Sequence, residues 1–179
     1  LANNQNEVIS LLTPEGDEEF LRVGESRTRN AYIHHVEGLP YSQIAGFAYA
    51  RNADGRIMLD DDGLPVQGDF TTFGTGVPPT SMGISNSFRY KNLSLSVLID
   101  MRMGAKIYGA TNAYRYFRGL HKATLDGRDA GLGAVSAENI ENYYQRIAFN
   151  ITEEFVQDAD FAKLREVILT YRVPKSLYS

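Results

Sequence analysis

The chain of 179 residues has no cysteine, which removes disulfides and thiolate metal sites together and leaves its redox compartment open. No uninterrupted apolar run approaches the roughly twenty residues that a membrane-crossing helix needs. An excess of basic residues is missing too: Lys+Arg 18 stand against Asp+Glu 22, a formal net charge of −4. That balance argues against nucleic acid as a partner, because such binding needs a dominant basic face. The opening Leu1-Ala-Asn-Asn-Gln-Asn6 carries neither the charged nor the apolar region of a signal peptide and does not start with Met, so the sequence reads as a processed form or a fragment.

What is present is the patterning of a folded, β-rich chain, with 43% hydrophobic residues. From Leu93 the side chains alternate: Leu93, Leu95, Val97, Ile99, Met101 and Met103 fall on one face, and Ser94, Ser96, Asp100 and Arg102 on the other. Successive Cβ atoms of a strand point to opposite sides, so this predicts a strand with one apolar and one polar surface, with Leu98 the exception. A tilted membrane β-strand reads this way, and so does a half-buried strand of a water-soluble sheet.

Elsewhere Val8–Leu12 and Phe20–Val23 read as short strands joined by a turn at 13–17, and Ile44–Ala50 as a strand. Gly46 inside that strand predicts a bulge or a close backbone approach. Asn52-Ala-Asp-Gly55 and Asp60-Asp-Asp-Gly63 are turn signals, with Arg56–Leu59 between them as one arm of a hairpin. Residues 68–86, rich in Gly, Thr, Ser and Pro, read as a connection. Ser136–Phe149 is the clearest helix, capped by Ser136, with Ile140, Tyr143 or Tyr144, Ile147 and Ile151 on one face. Residues 106–117 fit either a strand end or a short helix. In 160–174, Phe161, Leu164 and Ile168 fit a helix while Val167, Leu169, Tyr171 and Val173 fit a strand; the β-branched and aromatic residues favour the strand.

Motifs that would carry chemistry are few. His34-His35 point to opposite faces of a strand and cannot readily chelate one ion. Asn52, Asp54, Asp60, Asp61 and Asp62 offer hard oxygens for calcium, but their spacing is not that of an EF-hand, and such residues commonly form solvated turns. Phe73-Gly-Thr-Gly-Val-Pro-Pro79 lacks the Gly-Lys-Ser/Thr ending of a phosphate loop. No nucleophile elbow surrounds Ser81, Ser85 or Ser87, and Glu153-Glu154 is a pair too ordinary to signal acid–base work. The expectation is therefore a non-enzyme with neither catalytic residues, cofactor nor metal. Tyr108, Tyr114, Tyr116 and Phe117, with Arg115 and Arg118 interleaved, are the candidate ligand-binding residues, suited to stacking on sugar rings or peptide groups. An aromatic girdle at a membrane interface, or ordinary packing, is the other reading of the same cluster.

An ordered set of local patterns resembles the C-terminal part of the SusC/RagA-like TonB-linked outer-membrane transporters. It runs through Asn4–Leu11, Val36-Glu-Gly-Leu-Pro40, Gly46-Phe-Ala-Tyr49, Asp54-Gly55, Asp62-Gly-Leu-Pro65, Phe73–Pro79 and Gly83–Leu95, and ends with Thr124-Leu-Asp-Gly-Arg128 and Asp158–Pro174. Together these cover nearly the whole chain. The resemblance implies a mainly β fold of antiparallel strands from part of a large outer-membrane β-barrel, with one short loop helix. It reads 1–179 as one partial barrel domain without the plug, and 160–174 as a strand. In such barrels about twenty-two strands close around a plug, so the chain is expected to be a fragment. The implied function is import of oligosaccharides, peptides or related nutrients across the outer membrane. The implied partners are a SusD-like surface lipoprotein, TonB reached through the missing N-terminal part, and outer-membrane lipid. Two rival expectations remain: a soluble β-rich glycan- or peptide-binding module, and a hydrolase.

Overall fold

The computed structural model describes residues 1–13, 16–17, 20–25 and 30–174. In chain order its strands are β1 (Ala2–Asn3), β2 (Leu12–Thr13), β3 (Gly16–Asp17), β4 (Phe20–Glu25), β5 (Tyr32–Val36), β6 (Gln43–Tyr49), β7 (Gln67–Thr75), β8 (Thr80–Tyr90), β9 (Leu93–Met103), β10 (Lys106–Tyr108), β11 (Val156–Asp158) and β12 (Phe161–Tyr171). The helices are α1 (Ala110–Phe117) and α2 (Ile140–Asn150), with 3-10 turns at Lys122–Leu125, Ala137–Asn139 and Glu153–Phe155. Among the described residues every strand pairing is antiparallel, and the fold is mainly β with two short helices. Among the described residues no helix is long and apolar enough to cross a membrane.

The chain divides into two compact units, one of residues 1–5, 78–105 and 159–179, the other of 6–77 and 106–158. Both are discontinuous, which is why no shift in composition along the sequence marks the division.

In the first unit the sheet order is β1-β8-β9-β12. Cross-strand partners share a face, so the register sorts the side chains into rows. Tyr90, Leu93 and Tyr171 form one row, Phe88, Leu95 and Leu169 the next, then Asn86, Val97 and Val167, then Ile84, Ile99 and Leu164, then Met82, Met101 and Ala162. Apart from Asn86 and the small Ala162, every position is a large apolar or aromatic side chain. The opposite face carries Arg89, Ser94 and Thr170; Ser87, Ser96 and Ile168; Ser85, Leu98 and Glu166; and Gly83, Asp100 and Lys163. The predicted alternation of β9 is therefore observed, Leu98 included as its exception.

The apolar face stays open. Phe88 is 58% exposed, Tyr90 71%, Leu164 63% and Leu169 67%, and no residue of central β9 is buried. An edge-to-edge ladder of this size without a covering layer is unlike the packed face of a sandwich, where both inner faces interdigitate.

β8 and β7 correct the expectation of a connection over 68–86. Gly, Ser and Thr on one face of a strand leave no apolar alternation to see there, yet Met82, Ile84, Phe88 and Tyr90 alternate on the other. Only 76–79 turns, and the two prolines lie outside both ladders. The 160–174 segment is a strand, and its mixed signature has a mechanical cause. Leu164 pairs with Ile99 and Glu166 with Leu98, so Arg165 is an extra residue at a bulge. The bulge makes the apolar positions Leu164 and Val167 three apart, a helical spacing, while keeping both on one face.

In the second unit β4-β5-β6-β7 form one sheet, and β10-β11 and β2-β3 are two-stranded. Val8–Leu11 is not a strand: Val8 makes a two-bond bridge to Gly38 and Leu39, and only Leu12–Thr13 pairs onward with Gly16–Asp17. The predicted turn at 13–17 includes Pro14 and Glu15, which lie outside the described residues. Arg56–Leu59 likewise supplies isolated bridges, Ile57 to Arg51 and Leu59 to Pro65, rather than a strand. The two predicted turns are present. Asn52 Oδ1 accepts from the amides of Asp54 and Arg56 at 3.0 Å each, and Asp60 Oδ1 from those of Asp62 and Leu64 at 3.1 and 2.8 Å. These two side chains are used in shaping their own turns.

Helix α2 follows its 3-10 turn as the periodicity predicts: Ile140, Tyr144, Ile147 and Ala148 are buried on one face, with Ile151 just beyond. Two clusters result, Ala113–Ile147–Ala148–Ile151–Phe155 and Leu64–Val135–Ile140–Tyr144, with Tyr116 and Tyr143 packed against both. Burying one such large apolar side chain stabilises by about 1.5–3 kcal/mol. The undecided 106–117 segment is β10 followed by α1. Gly109 gives α1 no side-chain cap and its first turn has no acidic residue, so packing on α2 holds it rather than local propensity.

Gly46 makes the close approach expected of it. A Cβ there would lie 2.2 Å from Thr152 Oγ1 and 2.5 Å from the Asn30 carbonyl oxygen. Thr152 Oγ1 uses that proximity, accepting from the Phe47 amide at 3.0 Å and donating to Asn30 O at 2.7 Å.

Candidate functional site

The four aromatic candidates divide by role. Tyr108, at the end of β10 opposite Val156, sets its ring edge-on to Phe155 at 6.2 Å. Tyr116 packs edge-on to Phe155 at 5.1 Å and Tyr144 at 5.7 Å, and tilts against His121 at 4.7 Å. Phe117 meets Phe149 edge-on at 4.7 Å, and the Arg118 guanidinium lies 4.7 Å over its ring. Tyr114 is 42% exposed. Tyr108 and Tyr116 thus meet on Phe155, and Phe117 packs separately on Phe149.

A carboxylate pair braces this core. Glu154 accepts from the Tyr49 hydroxyl at 2.9 Å and, more weakly, from the Tyr116 hydroxyl at 3.5 Å. Glu153 accepts from the Tyr49 amide at 2.9 Å and pairs with Arg51 at 2.5 Å. Burial, and then the Glu154 charge, push the Tyr116 phenol up to about 12; burial and Glu154 raise Tyr49 and Tyr143 as well. All three are neutral at pH 7, and the Tyr49 and Tyr116 hydroxyls act as donors. Both carboxylates are engaged in holding β6 and α1 to the Glu153–Phe155 turn.

Beside this core lies a cleft of about 620 Å³, bordered by Tyr116, Phe117, Arg118, Arg128, Glu138 and Glu141. Its outer wall is the loop after α1. His121 Nδ1 accepts from the Ala123 amide at 3.2 Å and Thr124 Oγ1 donates to His121 O at 2.7 Å. Tyr144 on α2 donates to Ala123 O at 2.6 Å, which ties the loop to the helix. Arg128 fastens the rest: Nε donates to Thr124 O at 2.7 Å, and Nη2 to Gly119 O at 2.8 Å and Thr124 Oγ1 at 3.2 Å. Gly127 sits at φ +81°, a left-handed conformation that favours glycine, and a Cβ there would also press on Ile140 Cδ1 at 2.6 Å and Leu132 Cβ at 2.9 Å.

Of the predicted residues, Tyr116 and Phe117 line the cleft. Arg128, Glu138 and Glu141 were not singled out as site residues by the sequence reading. A Thr-x-x-Gly turn ending in Arg128 was the available signal, since a turn-anchored arginine is a fixed one. His34 and His35 do point to opposite faces. His34 is 1% exposed and stacked on Phe20 at 4.6 Å, whereas His35 Nδ1 accepts from the Ser42 amide at 3.1 Å.

No family model matches the chain, and no curated protein matches it. Among solved structures it is similar to a chain of the RagAB peptide importer in its closed-closed state, with a TM-score of 0.56 and 19% identity over 97% of this chain and 20% of that one. A chain of the RagAB peptide transporter gives the same score and identity over 98% of this chain and 20% of that one. The chain therefore spans about a fifth of the length of these neighbours, and its fold is like part of a transporter chain.

Proposed function

We propose that this chain is a piece of the barrel of a TonB-dependent outer-membrane transporter of the SusC/RagA-like type, which imports oligosaccharides, peptides or related nutrients. The carrying observation is the open apolar ladder over β8, β9 and β12. Water would leave it to aggregate, whereas hydrocarbon solvates it and demands that every backbone group be paired within a sheet. Its dimensions suit a bilayer. Eleven residues at about 3.4 Å each, tilted by about 40°, rise roughly 28 Å against an apolar band of about 25 Å. Tyr90 and Tyr171 flank Leu93 in the row at the tight-turn end, where an interfacial aromatic girdle belongs. In this reading β8, β9 and β12 are the membrane-spanning segments and the face with Asp100, Lys163 and Glu166 looks into the lumen.

The ordered motifs and the similarity to RagAB chains support the same reading. A SusD-like lipoprotein and TonB are the partners it entails. The cleft residues Tyr116 and Phe117 are its proposed ligand contacts, with Tyr108 behind them as support and Tyr114 exposed nearby.

The test is a pair of arginines in the full-length protein. Val97→Arg places a cation at the middle of the lipid face and should cost about 2–4 kcal/mol, depleting the assembled form in the outer membrane, while Ser96→Arg next to it assembles normally. Normal assembly of Val97→Arg rejects the reading.

A further inference from the structure

We infer that the cleft between the end of α1 and the start of α2 is a receptor for a carboxylate-bearing oligomer, with Arg118 and Arg128 as the groups that hold the carboxylate. Two features of the arginines carry this. Arg128 is fixed through Nε and Nη2 by three hydrogen bonds to Thr124 and Gly119, yet its Nη1 donates to no described residue. Arg118 is steadied over Phe117, which is itself held edge-on by Phe149. A guanidinium already immobilised loses little entropy on binding, and its remaining N–H groups match the geometry of a carboxylate.

The rest of the border selects among anions. Glu138 and Glu141 border the cleft with the two arginines, so its formal charge sums to zero and no net attraction offsets the greater desolvation cost of a doubly charged phosphate. A singly charged carboxylate accompanied by hydrogen-bond donors fits both signs. Tyr116 and Phe117 supply ring surface for the ligand's apolar part. The volume of about 620 Å³ falls in the range of small-ligand clefts. Two sources provide this chemistry: the free C-terminus of a short peptide, with amide or ammonium donors for the glutamates, and a uronic-acid oligosaccharide, with hydroxyls in that role. The inference uses the transporter reading only to make the ligand a cargo; occupancy of the cleft stands or falls separately.

Equilibrium binding to the purified full-length protein tests it, with tetra-alanine against tetra-alanine amide and trigalacturonate against its methyl ester. Binding of at least one free acid about tenfold or more tighter than its neutral counterpart is expected, and which acid binds identifies the source. Arg118→Gln, which touches none of the loop's hydrogen bonds, should remove most of that preference. Arg128→Lys should weaken it while hydrogen exchange over 119–128 reports whether the loop persists. Equal binding of acid and neutral forms, no binding of either acid, or a preference unchanged in Arg118→Gln overturns the inference. Because the measurement needs no transport, those results leave the placement of the strands in the membrane untouched.

Discussion

Arg165 donates from both Nε and Nη2 to a single oxygen, Oδ2 of Asp100, at 3.1 and 2.8 Å. Arg165 is the extra residue of the β12 bulge, so this ion pair pins the bulge to the polar face of its neighbour β9. Every apolar residue beyond it, Val167, Leu169 and Tyr171, keeps its face because of that one insertion.

Deleting Arg165 should therefore be tolerated. It makes Leu164, Glu166 and Val167 alternate without interruption and removes only a partly exposed ion pair, a loss of about 0–1 kcal/mol. Inserting one serine between Val167 and Leu169 should instead turn Leu169 and Tyr171 to the polar face and abolish assembly. Outer-membrane yields of the two variants check this, and equal yields would contradict the register.

Gly46→Ala should destabilise the second unit by about 1–3 kcal/mol, because its methyl group collides with Thr152 Oγ1 and the Asn30 carbonyl oxygen. Thr152→Ala should cost a similar amount by leaving the Phe47 amide without its acceptor. Urea midpoints measure both.

His34 should make the β4–β7 sheet acid-sensitive. Its ring stacks on Phe20, lies 5.3 Å from Phe70, and buries an Nε2 that has no hydrogen-bond partner among the described residues, with Arg22 its cross-strand neighbour. Burial and then the Arg22 charge hold its pKa below 6.5. The folded state thus binds fewer protons than the unfolded state, so stability is full above pH 6.5 and declines as pH falls through the folded value. Hydrogen exchange over 20–25 and 32–36, corrected for intrinsic rates, should show protection lost between pH 8 and pH 5. His34→Phe should remove that dependence, and an unchanged pH profile in the variant would refute the cause.

Much of this architecture was legible where one physical constraint acts alone. β9 alternates because a strand sends successive side chains to opposite faces and the ladder with β8 and β12 gathers the large apolar ones on one of them, and α2 shows its stripe because one side packs on a core. β12 was blurred by the bulge at Arg165, and β8 by the small polar residues Ser81, Gly83, Ser85 and Ser87 on one face. α1 could not be decided because Gly109 offers no cap and its aromatics serve a strand as well as a helix. The cleft brings Arg118 together with Glu138 and Glu141, some twenty positions away in the chain, a proximity that only the packing of α1 on α2 and the intervening loop creates.

The central claim is that lipid lies on one side of β9 and water on the other. Spin labels attached to single cysteines at each position from 93 to 103, in the full-length protein in bilayers, test it most directly, and residues 1–179 bring no native cysteine to interfere. Collision rates with dissolved oxygen should peak at 95, 97, 99 and 101, and those with a water-soluble nickel chelate at 94, 96, 100 and 102. Profiles that rise and fall together, or a chelate that reaches Leu95 and Val97 as readily as Ser94 and Ser96, would contradict it.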